Sequence, residues 1–262
     1  MLKRRLIPVL YLKDGWMVRS QDFALHQFIG EPVAHVERMI QWDVDELIIL
    51  DIGAEDSVFD HHRNDYRYPP VMTMLEFIER TSIQCNIPLT FGGRIRSVAD
   101  IGLRIRNGAD KVTVNSMLYT DAEGVEAATR EFGSQAIVAS IDYRTVEGAP
   151  QVFFGRGNRP TDLDPVIAAR KAEALGVGEI LLNSMDQDGS ARGYDVDTVR
   201  SVADAVSIPV VACGGAGDKQ HFLDVLQQTE ASAAAAGNIF HFKENAYPQA
   251  KRFLRSQLDD IR

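Results

Sequence analysis

The chain has 262 residues, 45% of them hydrophobic, and a formal net charge of −9 at pH 7. That length allows one large domain or two ordinary ones, and the acidic balance argues against non-specific binding to nucleic acid or to an anionic membrane. Two cysteines give no disulfide framework, and no apolar run reaches the ~18 residues of a membrane span, so we expect a cytoplasmic protein that does not enter membranes.

Short apolar runs bounded by turn residues alternate with longer helical patterns along the chain. Many of the short runs are apolar at consecutive positions, which is typical of strands covered on both faces. The predicted strands are 6–12, 47–52, 88–91, 110–115, 136–142, 179–184, 208–213 and 232–237. The predicted helices are 33–43, 71–85, 97–107, 120–131, 163–176, 195–206, 218–228 and 247–259. Eight strand–helix units predict one (β/α)8 barrel domain over 1–262, with a doubly wound open sheet as the alternative.

The second half of the chain repeats the first, which favours the closed barrel. Four segments recur in the same order: LIPVLYLKDG as AIVASIDYRTVEG, DELIILDIG as GEILLNSMDQDG, PLTFGGRIRS as PVVACGGAGD, and GADKVTVNS as EASAAAAGN. Glu46 and Glu179 are 133 residues apart, whereas Gly92 and Gly214 are 122 apart. The difference indicates an insertion in the first half, at about residues 53–72, in the loop after the second strand. We therefore predict two similar half-barrels, one on strands one to four and one on strands five to eight.

Glycine-rich loops follow the strands at the end where (β/α)8 barrels place their chemistry. Glycine lets backbone N–H groups approach an anion, and a helix N-terminus adds favourable partial charge. These loops are Gly92-Gly93 and Gly214-Gly215, after strands three and seven, and Asn115-Ser116 and Gly237-Asn238, after strands four and eight. We therefore predict one phosphate site in each half, with the two sites on opposite sides of the barrel mouth. The alternative is tight turns that merely need glycine.

Five aspartates lie near predicted strand ends: Asp51, Asp142, Asp186, Asp188 and Asp195. A carboxylate there can serve as acid or base when burial tunes its pKa, but it can equally cap a helix or bind Lys or Arg. Asp142 occupies the repeated position at the end of the fifth strand, so we favour the chemical role for it. Its counterpart in the first half is Tyr11, which suggests that one of a pair of acids is missing.

The adjacent histidines His61 and His62 do not predict a metal site. Neighbouring residues of a strand point to opposite faces, and no Cys or carboxylate spacing supports zinc. The surrounding segment, FDHHRNDYRYPP, is aromatic and basic and lies in the insertion, so we expect a loop that covers substrate or contacts a partner. Cys213 has no histidine placed to activate it, and we interpret it as packing. No metal or cofactor is expected.

The segments LKDG, DELIILDI, FGG, GADKVTVNS, FGSQAIVASID, GVGEILLNSMDQDG, ACGGAG and IFHF resemble the HisF family, the cyclase subunit of imidazole glycerol phosphate synthase. The resemblance implies a barrel with a phosphate site in each half and a ribonucleotide substrate with a phosphate at each end. It implies a heterodimer with a HisH-type glutaminase, which docks on the opposite face and releases ammonia into the barrel. Two aspartates, on strands one and five, would then form imidazole glycerol phosphate and an aminoimidazole carboxamide ribotide.

Carried over residue by residue, the resemblance gives roles to both ends of the barrel. Asp142 matches the strand-five acid. The phosphate positions are Gly93, Asn115 and Ser116 in one half and Gly214, Gly215, Gly237 and Asn238 in the other, and we add Asp51, Arg94, Asp188 and Gly189 as substrate-binding candidates. The charged ring around the ammonia entrance is matched by Arg5, Glu46, Lys111 and Glu179, and a residue of the glutaminase interface by Asp110. The alternative is that these four residues form an ordinary charge network that only stabilises the fold.

Two substitutions depart from the family pattern. Tyr11 replaces the strand-one aspartate, and a phenol with a pKa of about 10 is a poor base at neutral pH. Arg94 replaces the third glycine of the first phosphate loop and puts a bulky cation in or beside that site. The chain therefore resembles a divergent branch that accompanies surface-polysaccharide genes. In that branch, a HisH-like glutaminase and a separate amidotransferase are implicated in converting an acetamido sugar to an acetamidino sugar.

From these features we expect a barrel subunit that binds a glutaminase, receives its ammonia and supports sugar amidation. The expected substrate is a phosphorylated small molecule, and a sugar amidotransferase is a further expected partner. The first alternative is a histidine-pathway cyclase with Asp142 as its main acid and another carboxylate, such as Asp51, compensating. The second alternative is a non-catalytic scaffold that only activates its partner glutaminase.

Overall fold

Parallel strands close into a barrel at the centre of the structure, a computed structural model that describes residues 3–54, 57–59 and 71–262. In chain order the strands are β1 (Arg5–Lys13), β2 (Trp16–Gln21), β3 (Leu25–Gly30), β4 (Leu47–Asp51), β5 (Leu89–Gly92), β6 (Lys111–Val114), β7 (Ile137–Val146), β8 (Ala149–Phe154), β9 (Arg159–Pro160), β10 (Glu179–Ser184), β11 (Val210–Cys213) and β12 (Ala233–Ala236). Eight of the described strands pair in parallel in the order β10-β11-β12-β1-β4-β5-β6-β7, and β7 pairs with β10 to close the barrel. The predicted (β/α)8 barrel is confirmed.

Helices connect the barrel strands and cover their outer faces. They are α1 (Pro32–Gln41), α2 (Met74–Gln84), α3 (Val98–Arg106), α4 (Met117–Thr120), α5 (Ala122–Phe132), α6 (Pro165–Ala174), α7 (Val196–Ala203), α8 (Lys219–Gln228), α9 (Ile239–Phe242) and α10 (Ala246–Gln257). Asp195 caps α7 by accepting from the Thr198 N–H, and Asp218 caps α8 by accepting from the Gln220 N–H. Within the described ranges, no helix has both the length and the apolar character needed to cross a bilayer.

The barrel strands are buried on both faces, which explains their consecutive apolar residues. One face packs against the helices, and Leu6 and Leu10 of β1 belong to that outer core. The other face fills the barrel interior, to which β1 contributes Ile7 and Val9. A strand with no solvent-facing side has no need for alternating polar residues.

Two β-hairpins extend the barrel beyond the predicted strands. β1 continues to Lys13 and pairs with β2, which pairs with β3; β7 continues to Val146 and pairs with β8, which pairs with β9. The turns are Asp14-Gly15 and Glu147-Gly148, with φ of 55° and 84° in the first and 51° and 84° in the second. A residue pair with positive φ at both positions is the favoured two-residue hairpin turn, and Asp-Gly is a recognised signal for it.

Because each half carries its hairpin on its first strand, the two halves share one architecture. The predicted insertion at 53–72 falls largely on residues 55–56 and 60–70, which lie outside the described residues. His61 and His62 lie there as well. The single domain over 1–262 and the insertion therefore stay predictions.

Candidate active site at the barrel mouth

A cavity of about 1010 Å³ lies at the barrel mouth, the end at which the parallel strands finish. Residues at the ends of β1, β4, β5, β6, β7 and β10 line it, together with parts of both hairpins. Of the candidate site residues, the cavity contains Tyr11, Asp51, Gly93, Arg94, Asn115, Ser116 and Asp142. The fold therefore brings the candidate acid and the first predicted phosphate site together in one space.

Asp142 is held between two asparagine side chains. Its Oδ1 accepts from Asn183 Nδ2 at 3.2 Å, and its Oδ2 accepts from Asn115 Nδ2 at 3.2 Å. The pairing of β7 with β10 places Asn183 directly opposite Asp142. Each carboxyl oxygen thus has an amide donor, which fixes the orientation of the group. Sequence reasoning did not single out Asn183, although its position beside the repeated strand end was a usable signal.

Burial raises the pKa of Asp142 to about 7. The hydrogen bond from Asn183 opposes this shift because it stabilises the carboxylate, whereas the charge of Asp188 adds to it. The side chain is almost fully enclosed, with only 7% of the residue exposed. At neutral pH the group is therefore divided between its charged and neutral forms, which suits a residue that gives and takes a proton.

Tyr11 occupies the equivalent place in the first half, and the partners of Asp142 are replaced there too. Leu50 lies opposite Tyr11 in the pairing of β1 with β4, just as Asn183 lies opposite Asp142. Gly237 is the first residue after β12, just as Asn115 is the first residue after β6. A Cβ added to Gly237 would lie 3.1 Å from Tyr11 Cε2. The phenol ring therefore packs against the space that glycine leaves. The acid and both of its amide donors differ together between the halves.

The Tyr11 hydroxyl is paired with the thiol of Cys213 inside the barrel. Burial, and then the charges of Cys213, Asp188 and Asp142, raise the pKa of Tyr11 well above its ordinary value of 10.0. Burial likewise raises the pKa of the Cys213 thiol to about 12, in keeping with a packing role. Tyr11 is therefore a neutral donor at physiological pH, and it cannot act as a base there.

Replacing Asn183 with leucine is expected to raise the pKa of Asp142 further. The substitution removes the one donor at Oδ1 and leaves a leucine like Leu50 in the other half. A hydrogen bond to a charged group is worth about 1.5–3 kcal/mol, so the pKa should rise by about one to two units. Carbon-13 NMR titration of the Asp142 carboxyl measures this, with Asn86→Leu at the opposite end of the barrel as the control. An unchanged or lowered pKa would contradict the assigned hydrogen bond.

Asp51 and Arg94 form an ion pair at the edge of the cavity. Arg94 Nε lies 2.9 Å from Asp51 Oδ2, and Arg94 Nη1 donates to the Ser57 carbonyl oxygen at 2.7 Å. Burial raises the pKa of Asp51, against the opposing effects of the Gly53 N–H and Arg94. Arg94 has a φ of 53°, so it keeps the left-handed backbone of a glycine position. Both side chains are engaged with each other, which makes Asp51 a poor candidate for the compensating acid.

The two predicted phosphate loops differ in access to the cavity. Gly93 lines it and needs to be glycine, since its φ is 94° and a Cβ would lie 2.0 Å from the Asp51 carbonyl oxygen. Asn115 and Ser116 line it as well. The second set does not contribute to the cavity lining: Gly189, Gly214, Gly215, Gly237 and Asn238. Both predicted sites thus lie at the mouth of the barrel, but the second does not line this cavity.

The remaining candidate aspartates serve as hydrogen-bond acceptors within the fold. Asp186 accepts from the Thr145 N–H at 2.7 Å, and Asp195 accepts from the Tyr143 hydroxyl at 3.2 Å in addition to capping α7. Asp188 is buried, and its Oδ2 accepts from Ser20 Oγ at 2.6 Å and from the Phe23 N–H at 3.0 Å. Asp188 therefore ties the first hairpin to the loop after β10.

Four charged side chains form a closed ring at the opposite end of the barrel. Arg5 donates to Glu46 at 2.6 Å and to Glu179 at 2.5 Å. Lys111 donates to the same two glutamates, at 2.8 Å and 2.7 Å. Although burial opposes ionisation of Glu46, Lys111 and Arg5 bring the pKa of its carboxyl below the ordinary value. Charges of alternating sign thus close the lower end of the interior.

Asp110 lies beside this ring, at the start of β6. Its Oδ2 accepts from the Leu89 N–H at 2.8 Å, and the residue is exposed on the lower face. The position is compatible with a surface contact.

The sequence is similar to proteins of one family over nearly its whole length. Residues 5–246 match the family described as histidine biosynthesis protein. The chain is 39% identical over 264 residues to the imidazole glycerol phosphate synthase subunit HisF of Geobacillus thermodenitrificans (strain NG80-2). It is 38% identical over 264 residues to the protein of the same name from Anoxybacillus flavithermus (strain DSM 21510 / WK1). Both alignments cover 100% of each chain.

Proposed function

Because this chain belongs to the HisF family of histidine biosynthesis proteins, we propose that it is a barrel subunit that receives ammonia from a HisH-type glutaminase. We further propose that it supports amidation of a sugar in surface-polysaccharide synthesis rather than closure of an imidazole ring. The glutaminase would bind the lower face as the second subunit of a heterodimer. A separate sugar amidotransferase would complete the reaction.

The ring of Arg5, Glu46, Lys111 and Glu179 supports the delivery of ammonia. It lies at one end of the barrel interior, and Asp142 lies at the other. The interior between them is lined by apolar side chains such as Val9, Ile48 and Leu181. An apolar passage favours a small neutral molecule over its charged form, because a bare charge is costly to desolvate. Ammonia entering at the ring would therefore reach the mouth as a nucleophile.

The presence of Tyr11 is the observation that best supports a reaction other than closure of an imidazole ring. Acid–base chemistry with two carboxylates needs a second ionisable acid facing Asp142, and the first half supplies a buried phenol instead. Leu50 and Gly237 stand at the places where the second half has the amide donors Asn183 and Asn115. Asp51 is engaged by Arg94. Among the described residues that line the mouth, the raised pKa of Asp142 supports assigning proton exchange to that carboxyl.

The cyclase of histidine biosynthesis is the second candidate function. The observation in its favour is the full-length identity of 38–39% to proteins named as imidazole glycerol phosphate synthase subunits. In that case Asp142 would act alone at the mouth. A third candidate is a scaffold that only activates the glutaminase.

One reconstitution distinguishes the three functions. The purified chain, with ammonium and the ribonucleotide precursor, is assayed for the imidazole product, with Tyr11→Asp in parallel. Robust turnover by the unmodified chain would overturn the amidation proposal and establish the cyclase. With glutaminase, amidotransferase and an acetamido sugar nucleotide present, amide-labelled glutamine should place its nitrogen-15 in the sugar. Stimulated glutaminase without labelled sugar would instead establish the scaffold.

A further inference from the structure

A second cavity, of about 440 Å³, lies at the lower end of the barrel. The segments before β4 and β5 form one side of it, and α10 and Arg262 form the other. Asp45 lines it and directly precedes Glu46 of the charged ring, but the described lining shares no residue with the ring or with the mouth cavity. Small-molecule sites usually enclose about 300–1,000 Å³, so this lower cavity has the size for a small ligand.

The described lining of the lower cavity carries more positive than negative charge. Its cationic residues are Lys251, Arg252, Arg255 and Arg262, and its acidic residues are Asp43 and Asp45. Both carboxyl oxygens of Asp45 are engaged, Oδ1 by the Lys251 ammonium and Oδ2 by the Leu6 N–H at 3.0 Å. Within this lining, three guanidinium groups therefore face the carboxylate of Asp43. In a chain with a net charge of −9, such a local surplus favours an anion.

The arginines of the lower cavity have donors to spare for a ligand. Arg252 is exposed and forms neither a hydrogen bond nor an ion pair with any residue that the structure describes. Arg255 donates from Nε and Nη2 to the Arg262 carbonyl oxygen, at 3.1 and 2.7 Å, and Arg262 Nη1 donates to the Asp45 carbonyl oxygen at 3.2 Å. Each guanidinium has five N–H donors in a planar fork, which matches the oxygens of a carboxylate or a phosphate.

Lys251 is the most buried of the four cations and adds an ammonium to the lining. Only 6% of the residue is exposed, and its Nζ lies 5.7 Å from the centroid of the Tyr247 ring. Burial lowers the pKa of Lys251; Asp45 opposes this shift, and the charges of Arg255 and Arg262 add to it. These cations therefore repel one another, and an anion among them would relieve the repulsion.

The rest of the lining includes an apolar wall of Trp42, Ile87, Pro88 and Pro248. The Arg38 guanidinium lies over the Trp42 ring, 5.3 Å from its centroid. The two prolines have a fixed φ, so the wall is largely preformed. Such a surface suits the carbon skeleton of an organic ion better than a fully hydrated inorganic one.

We propose that the lower cavity binds a small organic oxyanion, a carboxylate or a phosphate monoester, whose oxygens lie among Lys251, Arg252, Arg255 and Arg262. The apolar wall would receive the carbon skeleton of the ligand. This site is separate from the barrel mouth and needs neither ammonia nor a sugar. It lies beside the ring, so the bound anion would stand at the edge of the face on which the glutaminase is proposed to dock.

The indole N–H of Trp42 provides a local probe of this site. The chain has two tryptophans, so Trp16→Phe assigns the two indole signals in a nitrogen-15 NMR spectrum. At an ionic strength held constant with sodium chloride, citrate or glycerol 3-phosphate should shift the Trp42 signal saturably, and the probe that does so identifies the carboxylate or the phosphate class. Arg252→Gln should weaken binding about tenfold, as expected for loss of one charge-assisted contact. Arg130→Gln removes an equal charge outside the cavity lining and should leave the affinity unchanged.

Four results would count against this site. A Trp42 signal that responds to neither probe would overturn the proposal, and so would an equal shift with sodium chloride alone. Equal affinity in the unmodified chain and in Arg252→Gln would remove the guanidinium contact; this variant should fold, because the side chain is exposed. Equal weakening in Arg130→Gln would reduce the effect to net charge. The titration contains no glutaminase and no sugar, so its result is independent of nitrogen transfer.

Discussion

Asp142→Asn is expected to abolish nitrogen transfer while leaving the fold intact. The amide cannot exchange a proton, and loss of a general acid or base typically costs about 10²–10⁴ in rate. The substitution is sterically mild, and the buried Oδ1 of Asn183 has no hydrogen-bond partner, so Asn183 can rotate to accept from the new amide. Transfer of nitrogen-15 from glutamine to the acceptor measures the effect. Activity within about tenfold of the unmodified chain would exclude proton exchange by Asp142.

The same substitution should change how stability depends on pH. The pKa of Asp142 is about 7 in the folded chain, against 3.8 for a free aspartate. Between these values the folded state holds a proton that the unfolded state has released, so stability falls as pH rises. Three units correspond to about 4 kcal/mol by pH 8. Asp142→Asn should remove this loss. Denaturant titrations at pH 4 and pH 8 check it, and an equal pH dependence in both proteins would contradict a raised pKa.

Opening the lower ring is expected to uncouple glutamine hydrolysis from nitrogen transfer. Lys111→Ala removes a donor from both Glu46 and Glu179, and Glu179→Ala removes a shared acceptor from Arg5 and Lys111. Either variant removes two of the four ion pairs of the ring, so ammonia from the proposed glutaminase should escape before it enters the barrel. The ratio of labelled nitrogen in the product to glutamine hydrolysed should fall about tenfold. Each variant should also lose about 1–3 kcal/mol of stability, because the ring charges are largely buried.

A nearby ion pair supplies the control for this experiment. Arg4 pairs with Asp260 on the same side of the barrel and has a similar exposure to Lys111, but it does not contact the ring. Arg4→Ala should therefore preserve coupling. Unchanged coupling in both ring variants would reduce the ring to a stabilising network, which was the alternative from the sequence.

The barrel was predictable because its evidence is local or repeated. Strands buried on both faces leave consecutive apolar residues, and the matched segments around Glu46 and Glu179 indicate a doubled architecture. The hairpins were missed although Asp14-Gly15 and Glu147-Gly148 mark their turns. The apolar pattern ends where a hairpin extends beyond the core, so a prediction based on hydrophobicity ends the strand at that point.

The details of the site depended on contacts between distant residues. Asn115 was assigned to phosphate binding, but in the structure its side chain donates to Asp142. Asn183 reaches the same carboxyl from the other side. The contact between the first hairpin and the loop after β12 joins Ser20 and Asn238, which are far apart in sequence. Residue spacing in the sequence does not predict such contacts, because they depend on how the hairpin packs against the closed barrel.

The alternating ring also shows that the two halves are not interchangeable. Both of its cations, Arg5 and Lys111, come from the first half, and the second half has Ala136 and Ala233 at the corresponding places. Asp142 comes from the second half, and the first half has Tyr11 at the corresponding place. A barrel of two first halves would carry both cations twice and no carboxyl at the Asp142 position, whereas one of two second halves would carry that carboxyl twice and neither cation. Each half thus contributes a charged group that the other half lacks at the corresponding place.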